Sequence, residues 1–291
     1  MPASLTDSRT GFLLAMSGVL LISLDSLWIR LSEAGSWDVA FWVGGFTFVG
    51  ISIVLPLRTG DSIVTVLRRD RSPLVASSLL NTVSVTMFIV AVGLTTVANT
   101  VAIIAAAPVA SAVVARLIIG EKPSTRTWWA IAGSVVGIMV IVSGSIGAGS
   151  VSGDVAAVVA VLAFAGNVTL WRRYPAISRL GVIGLGGLFT AIVAFLPAQP
   201  FEVDGRALAI LAIMGLLTGP AGRVSLASST RYLPAAQVGL FTPVETVAAT
   251  AWAWLFLSEA PPFATVVGGV IVIISVLYGS YRRSAVIAPR S

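Results

Sequence analysis

Long apolar runs, separated by short clusters of charged and turn-forming residues, organise the chain from end to end. A helix needs about 20 mostly apolar residues to cross the hydrocarbon core of a bilayer. The runs of that length predict ten membrane-spanning helices, at 10–31, 37–57, 73–94, 98–119, 126–146, 153–173, 179–198, 206–228, 233–257 and 263–281. The connections are short, so the pattern predicts an all-α membrane protein without a soluble domain.

The composition supports this interpretation and excludes several kinds of chemistry. Of the 291 residues, 57% are hydrophobic and 10% are charged, whereas a soluble domain is about one-quarter charged. The chain has no cysteine and no histidine, so thiol chemistry and imidazole metal ligands are excluded. Its only lysine, Lys122, belongs to no phosphate-binding loop. We therefore expect no cofactor, metal or ATP, and no enzymatic activity.

The basic residues predict an orientation. If the N-terminus is cytoplasmic, only Arg30 and Arg206 of the 18 basic residues lie on the outer side. Cytoplasmic loops of membrane proteins carry an excess of lysine and arginine. The sequence thus predicts that both termini are cytoplasmic. The same placement of basic residues relates the net charge of +6 to the orientation in the lipid bilayer rather than to a nucleic-acid partner.

The two halves of the chain echo each other. "SLWIR" closes span one and "TLWRR" closes span six, while "APVASAVVARLIIGEKP" in span four corresponds to "TPVETVAATAWAWLFLSEAPP" in span nine. The echoes predict two repeats, 1–147 and 148–291. Five is an odd number of helices, so the second repeat is inverted in the membrane. The unequal spacing of the Pro-Val and Glu-x-Pro elements leaves open that common membrane composition produced the echoes.

Ten spans, two five-helix halves and the Pro-Val and Glu-x-Pro signature resemble the EamA-type branch of the drug/metabolite transporter superfamily. Within it the chain is similar to bacterial exporters of aromatic and other amino acids. The resemblance implies helices arranged around a central cavity, with the family glutamates at Glu121 and Glu259 and the helix prolines at Pro108 and Pro243. It also implies a location in the bacterial inner membrane.

Two carboxylates lie inside predicted spans, where a charge is costly and often functional. Glu245, at the centre of span nine, is a candidate site for a substrate ammonium group or a proton. The alternative is a structural ion pair with Arg223 of span eight. Asp25, in the outer third of span one, could attract a cationic group or pair with Arg30. Alternatively, it is a water-facing carboxylate at the mouth of the protein.

Neutral polar and aromatic residues supply further candidates for substrate binding. Asn81 and Ser84 lie near the middle of span three and Asn167 lies in span six. Buried amides in membranes either bind substrate or hydrogen-bond a neighbouring helix, and both interpretations remain open. Trp42 and Trp171 are aromatic candidates for lining a cavity. Most other tryptophans, including Trp252 and Trp254, lie near span ends and are expected in the interfacial belt.

Three features predict bends. Pro108 and Pro243 lie within apolar helices, and Gly219 with Pro220 interrupts span eight. Proline removes a helix hydrogen bond, and the freed carbonyls need a partner inside the membrane. These positions are candidates for gating, with a static kink as the alternative.

The sequence therefore predicts a secondary transporter that exports amino acids or similar small metabolites by alternating access. Protons are a candidate coupling ion. An alternative is a uniporter or exchanger for another class of metabolite, such as drugs or nucleotide sugars. An intramembrane enzyme or a channel is a more distant alternative.

Overall fold

The computed structural model describes residues 5–94, 103–104, 106–142, 150–257 and 263–280, and no strand occurs among them. The helices of the first half are α1 Leu5–Ile22, α2 Asp25–Ser32, α3 Ser36–Thr59, α4 Ile63–Arg69, α5 Arg71–Leu94, α6 Ala107–Ile119 and α7 Thr125–Val142. Those of the second half are α8 Val151–Arg173, α9 Arg179–Phe195, α10 Gly205–Ile213, α11 Gly219–Ser229, α12 Ala235–Gly239, α13 Thr242–Leu257 and α14 Phe263–Ser280. A 3₁₀ turn, Pro200–Glu202, precedes α10, and a π-helical turn, Met214–Thr218, joins α10 to α11.

These helices occupy the ten predicted spans, which confirms the all-α prediction. Span one consists of α1 and α2, span eight of α10, the π turn and α11, and span nine of α12 and α13. Five stretches are long and apolar enough to cross a membrane: Ser8–Ser32, Ser36–Thr59, Arg71–Ala91, Val151–Arg173 and Gly205–Ser229. Shorter apolar helices follow at Ala107–Ile119, Arg179–Phe195 and Val266–Gly279.

The most extensive helix contacts join one half of the chain to the other. α1 packs on α11, α3 on α9, α5 on α8 and α7 on α14. Lipid tails are as apolar as leucine, so close packing rather than a hydrophobic driving force holds such helices together. Glycines permit it: a Cβ added at Gly44 of α3 would lie 2.7 Å from the carbonyl oxygen of Gly187 in α9. The interface between the halves therefore runs through the whole bundle.

One end of the bundle, which we name the basic end, is formed by the connections 60–70, 120–124, 174–178 and 230–234. Gly120 ends α6 with a φ of 68°, a left-handed conformation that glycine adopts without strain. Glu121 then accepts hydrogen bonds from Arg172 Nε (3.2 Å) and from the backbone N–H of Ala235 (3.0 Å). This family glutamate thus joins span four to the end of span six and the start of span nine. Its predicted counterpart, Glu259, lies outside the described residues.

Arg179 is buried and stabilises the basic end through hydrogen bonds. Only 4% of the residue is exposed. Its Nη1 donates to the carbonyl oxygens of Tyr174, Pro175 and Ile177, and its Nη2 donates to that of Trp171 and to Thr230 Oγ1. Carbonyls at a helix C-terminus lack helical partners. Arg179 supplies those partners at the end of α8, so its buried charge is hydrogen-bonded rather than isolated.

Candidate functional site

The break in span one places a carboxylate inside the protein. Ser23 and Leu24 form a turn, and α2 begins at Asp25, which is only 5% exposed. Ser23 Oγ donates to the carbonyl oxygen of Leu20 and accepts a hydrogen bond of 2.8 Å from Trp252 Nε1 of span nine. The break in span one is therefore attached to span nine. Because Asp25 is buried, the interpretation as a water-facing carboxylate is wrong.

Close packing of spans one and eight brings Arg223 to Asp25. A Cβ added at Gly18 would lie 2.8 Å from the carbonyl oxygen of Gly222, so the two helix backbones touch. Arg223 Nη2 donates to Asp25 Oδ2 at 2.7 Å, and only 17% and 7% of the two side chains are exposed. The guanidinium of Arg223 lies close to the backbone of Gly219: a Cβ added to that glycine would lie 2.5 Å from Arg223 Nη1.

The predicted ion pair between Arg223 and Glu245 is therefore wrong in its partner, since Arg223 pairs with Asp25. The physical reason is the direction of the side chain. Helical side chains point toward the N-terminus of their helix, and that direction carries the guanidinium of Arg223 along span eight toward the start of α2. A depth in the membrane that is calculated from the backbone rise per residue gives the position of Cα. It does not give the position of the guanidinium at the end of the side chain.

Glu245 completes a group of three charges that we name the charged junction, formed by Asp25, Arg223 and Glu245. It lies in the first turn of α13 and is partly exposed, and α13 packs against both α1 and α2, the helix that begins at Asp25. Trp252 follows seven residues later, two helical turns along the same face. Spans one, eight and nine thus each contribute one charge to a site inside the membrane.

Several buried polar atoms next to the charged junction lack partners. Asp25 Oδ1, Trp28 Nε1 and Thr218 Oγ1 are buried and have no hydrogen-bond partner among the described residues. Asp25 and Trp28 belong to α2, and Thr218 ends the π turn that α2 packs against. Buried polar groups are nearly always hydrogen-bonded. Eight buried side-chain atoms without a partner are found among the described residues, and the three that lie where α2 meets span eight indicate a place that a ligand or water completes.

Span eight contains a π turn directly before the predicted bend at Gly219 and Pro220. Met214–Thr218 is π-helical, and Gly219 and Pro220 form the first turn of α11. Thr47 Oγ1 of α3 donates to the carbonyl oxygen of Gly215 at 3.0 Å, which supplies a partner inside the membrane. Such π turns often occur at functional sites.

The two repeated prolines occupy matching positions. Pro108 lies in the first turn of α6, after a turn at Ala106, and Pro243 lies in the first turn of α13, after the turn between α12 and α13. Proline fits there because the first N–H groups of a helix have no helical partner. A Cβ added at Gly239, just before the second break, would lie 3.0 Å from Pro108 Cα. The two breaks therefore pack on each other.

The predicted polar candidates of spans three and six hydrogen-bond between helices. Ser77 donates to Asn167 Oδ1, and Ser84 donates to the carbonyl oxygen of Ala160 at 3.0 Å. Asn81 is 9% exposed and packs against α9, where a Cβ added at Gly186 would lie 2.7 Å from its Nδ2. This geometry matches the interpretation that these residues join helices.

The two aromatic candidates pack within the protein. Trp42 Nε1 donates to the carbonyl oxygen of Pro200 at 3.0 Å, and its ring stacks on Phe46. Trp171 is 3% exposed and belongs to the main hydrophobic core. Trp42 packs in the same hydrophobic cluster as Trp28 of α2, whereas Trp171 belongs to a different cluster.

Sequence reasoning missed the inward role of Trp252, which was expected in the interfacial belt. Trp254 is 54% exposed, as a belt residue should be, but Trp252 donates to Ser23. The helical period contained the signal, because Trp252 shares a face with Glu245 and Trp254 does not. The roles of Ser23, Trp28 and Thr218 left no comparable signal in the sequence.

In comparisons with known proteins, one family model matches each half of the chain separately. A model of the EamA-like transporter family matches residues 9–143 and again 151–280, which confirms the prediction of two repeated halves. A solved structure described only as "Crystal structure of protein" is 17% identical, with a TM-score of 0.78 over 93% of this chain and 96% of that chain. At that identity the likeness shows a shared fold alone. A search of curated proteins finds no match.

Proposed function

The chain belongs to the EamA-like transporter family, and from that premise we propose that it is a secondary transporter that exports amino acids or similar small metabolites. It is a multi-pass membrane protein. We place it in the bacterial inner membrane with both termini in the cytoplasm, because the basic residues collect at one end. The basic end is then the cytoplasmic end.

The charged junction is the observation that carries this proposal. Asp25, Arg223 and Glu245 lie on three interrupted spans, and the pair of Asp25 and Arg223 is buried. Charged residues inside membranes are expensive, and they mark the paths of substrates and ions. Transporters built from repeats commonly bind substrate where discontinuous helices meet between the halves. Spans eight and nine belong to the second half and span one to the first, so the charged junction meets that description.

Alternating access requires positions where the halves can bend, and the breaks supply them. Pro108 and Pro243 each begin a helix after a turn, and the two breaks are in contact. Gly219 and Pro220 follow the π turn of span eight. We assign bending to these four residues and substrate binding to the charged junction. Coupling runs through a proton on Glu245 or Asp25, or transport follows the substrate gradient alone.

Counterflow in proteoliposomes tests the proposal. The purified chain is reconstituted, preloaded with single amino acids, and assayed for uptake of the same labelled amino acid, with and without a pH gradient. A saturable carrier gives transient accumulation, whereas a channel gives none and an enzyme gives a new chromatographic product. If no amino acid exchanges, the substrate class is wrong, and drugs and nucleotide sugars are the next panels.

Coupling is tested with one conservative variant. Glu245→Gln keeps the shape of the side chain and removes its charge. If Glu245 carries a coupling proton, this variant retains exchange but loses acceleration by a pH gradient. An unchanged rate and an unchanged dependence on the gradient would remove Glu245 from the coupling step.

A further inference from the structure

We infer that the charged junction is a site for an ammonium group, bound between the free oxygen of Asp25 and the carboxylate of Glu245. This inference rests on the proposed transport function and narrows its substrates to compounds with a positively charged amine. It differs from a general amino-acid site because it assigns no residue to the substrate carboxylate.

The balance of charges is the first argument. The junction contains two carboxylates and one guanidinium, so it lacks one positive charge when all three groups are ionised. On the described helices of spans one, eight and nine, the other charged residues are Asp7, Arg9, Arg30 and Arg206. All four lie toward the helix ends, and the three arginines are exposed. An uncompensated charge inside a membrane is costly, so a monovalent cation stabilises the site.

The distribution of hydrogen bonds is the second argument. Arg223 is engaged by Asp25 Oδ2, and Asp25 Oδ1 is buried without a donor from the part of the chain that the structure describes. An ammonium group has three donors and no acceptor. It therefore satisfies the free oxygen of Asp25, reaches the partly exposed Glu245, and can donate a third bond to Thr218 Oγ1 or water.

The position of Arg223 is the third argument, and it concerns what the site rejects. Its guanidinium is paired with Asp25 and confined by the backbone at Gly219. Because Asp25 already neutralises the charge of Arg223, a substrate carboxylate meets no uncompensated positive charge in the junction. Masking the carboxylate of an amino acid should consequently preserve binding, whereas masking its amine should abolish it.

Four derivatives of one amino acid test these statements directly. Phenylalanine, its methyl ester, N-acetylphenylalanine and N-acetylphenylalanine methyl ester are titrated calorimetrically into the purified full-length chain, and the series is repeated with leucine and alanine. We expect each ester with a free amine to bind at least as tightly as the parent amino acid. Both acetylated forms should bind about tenfold more weakly or worse, which corresponds to about 1.4 kcal/mol. The acetylated ester controls for added apolar surface.

Variants then assign the preference to the junction. Glu245→Gln should lower the affinity for the free-amine esters about tenfold and bring them level with the acetylated esters, while Glu245→Asp retains the preference. Glu202→Gln removes an exposed carboxylate from the turn before α10 and serves as the matched control, with unchanged affinities. Thermal unfolding of each variant confirms that it is folded.

The outcomes separate this inference from the proposed function. Acetylated acids that bind as tightly as free amines would overturn the ammonium site, even if they undergo counterflow and so support transport. Free-amine esters that bind but do not exchange would overturn transport and leave the ammonium site standing. If none of the free amines binds, or if Glu245→Gln keeps the preference, the inference is wrong.

Discussion

Two groups of polar residues lie inside the membrane, and they are built differently. The first, which we name the neutral seam, consists of Ser77, Ser78, Thr82 and Ser84 of α5 together with Asn167 of α8. Each of its hydroxyls donates to α8 or α9. The second is the charged junction, where Asp25 Oδ1 and the neighbouring Trp28 and Thr218 have no partner among the described residues.

The difference distinguishes polar groups that hold helices together from polar groups prepared for a ligand. In the neutral seam, the hydrogen bonds between helices satisfy the hydroxyl groups, so nothing remains for a substrate to complete. In the charged junction, satisfaction is partial, and one charge is uncompensated when all three groups are ionised. The partial satisfaction is the stronger indication of function, because a structural site gains nothing from it.

Breaking the ion pair of the charged junction should have the largest effect on stability. Asp25→Asn removes the carboxylate that accepts the hydrogen bond of Arg223, and breaking a buried pair in this way costs about 3–5 kcal/mol. We expect a correspondingly lower free energy of unfolding, measured by denaturant titration in detergent micelles.

The exposed pair between Arg206 and Glu33 provides the matched control. Its atoms are 3.7 Å apart and its side chains are 67% and 78% exposed. Glu33→Gln should cost about 1 kcal/mol or less. The double variant Asp25→Asn with Arg223→Gln removes both charges and should recover most of the loss. A double variant as unstable as the sum of its single variants would show that the pair is not an electrostatic unit.

Removing the amide of the neutral seam should have an intermediate effect. Asn167→Ala leaves Ser77 without its acceptor and should lower the free energy of unfolding by about 1–2 kcal/mol. Counterflow by the folded variant should stay within about twofold of the parent. A double-mutant cycle with Ser77→Ala measures the coupling, which averages about 0.6 kcal/mol in membranes. Loss of counterflow at unchanged stability would instead place Asn167 in the substrate site.

Removing one hydroxyl of the neutral seam should have the smallest effect. Ser84→Ala deletes the bond to the carbonyl oxygen of Ala160, and we expect a loss of about 0.6 kcal/mol without a change in counterflow. Ser152→Ala, at an exposed position near the start of α8, is the matched control and should be neutral. An effect of Ser84→Ala on substrate affinity would move this residue from the seam to the site.

The sequence predicted the fold better than it predicted the site. Apolar runs of the right length located all ten spans, because the bilayer fixes the length of a helix. The repeated Pro-Val signature singled out Pro108 and Pro243, but as bends within continuous spans, whereas in the structure each lies in the first turn of a helix. The break within span one was not predicted, because it lies in otherwise apolar sequence.

The partner of Arg223 could not be found from the sequence, because it depends on which helices touch. Gly18 and Gly222 bring spans one and eight together, and no local pattern states that they face each other. Ser84 and Asn167 of the neutral seam were recognised as candidates, yet the choice between substrate and neighbouring helix depends on distances across the bundle. Pairing between helices is a tertiary property, whereas length and periodicity are local.

Gly219 has no functional group, yet the absence of a side chain there leaves the space in which the guanidinium of Arg223 lies. A methyl group there would occupy the space of the guanidinium of Arg223, which would have to move away from Asp25. Relatives that keep the three charged residues but have a larger residue four positions before the arginine would then hold a rearranged site. We therefore expect glycine at that position, together with the three charges, in relatives that hold the site in this form.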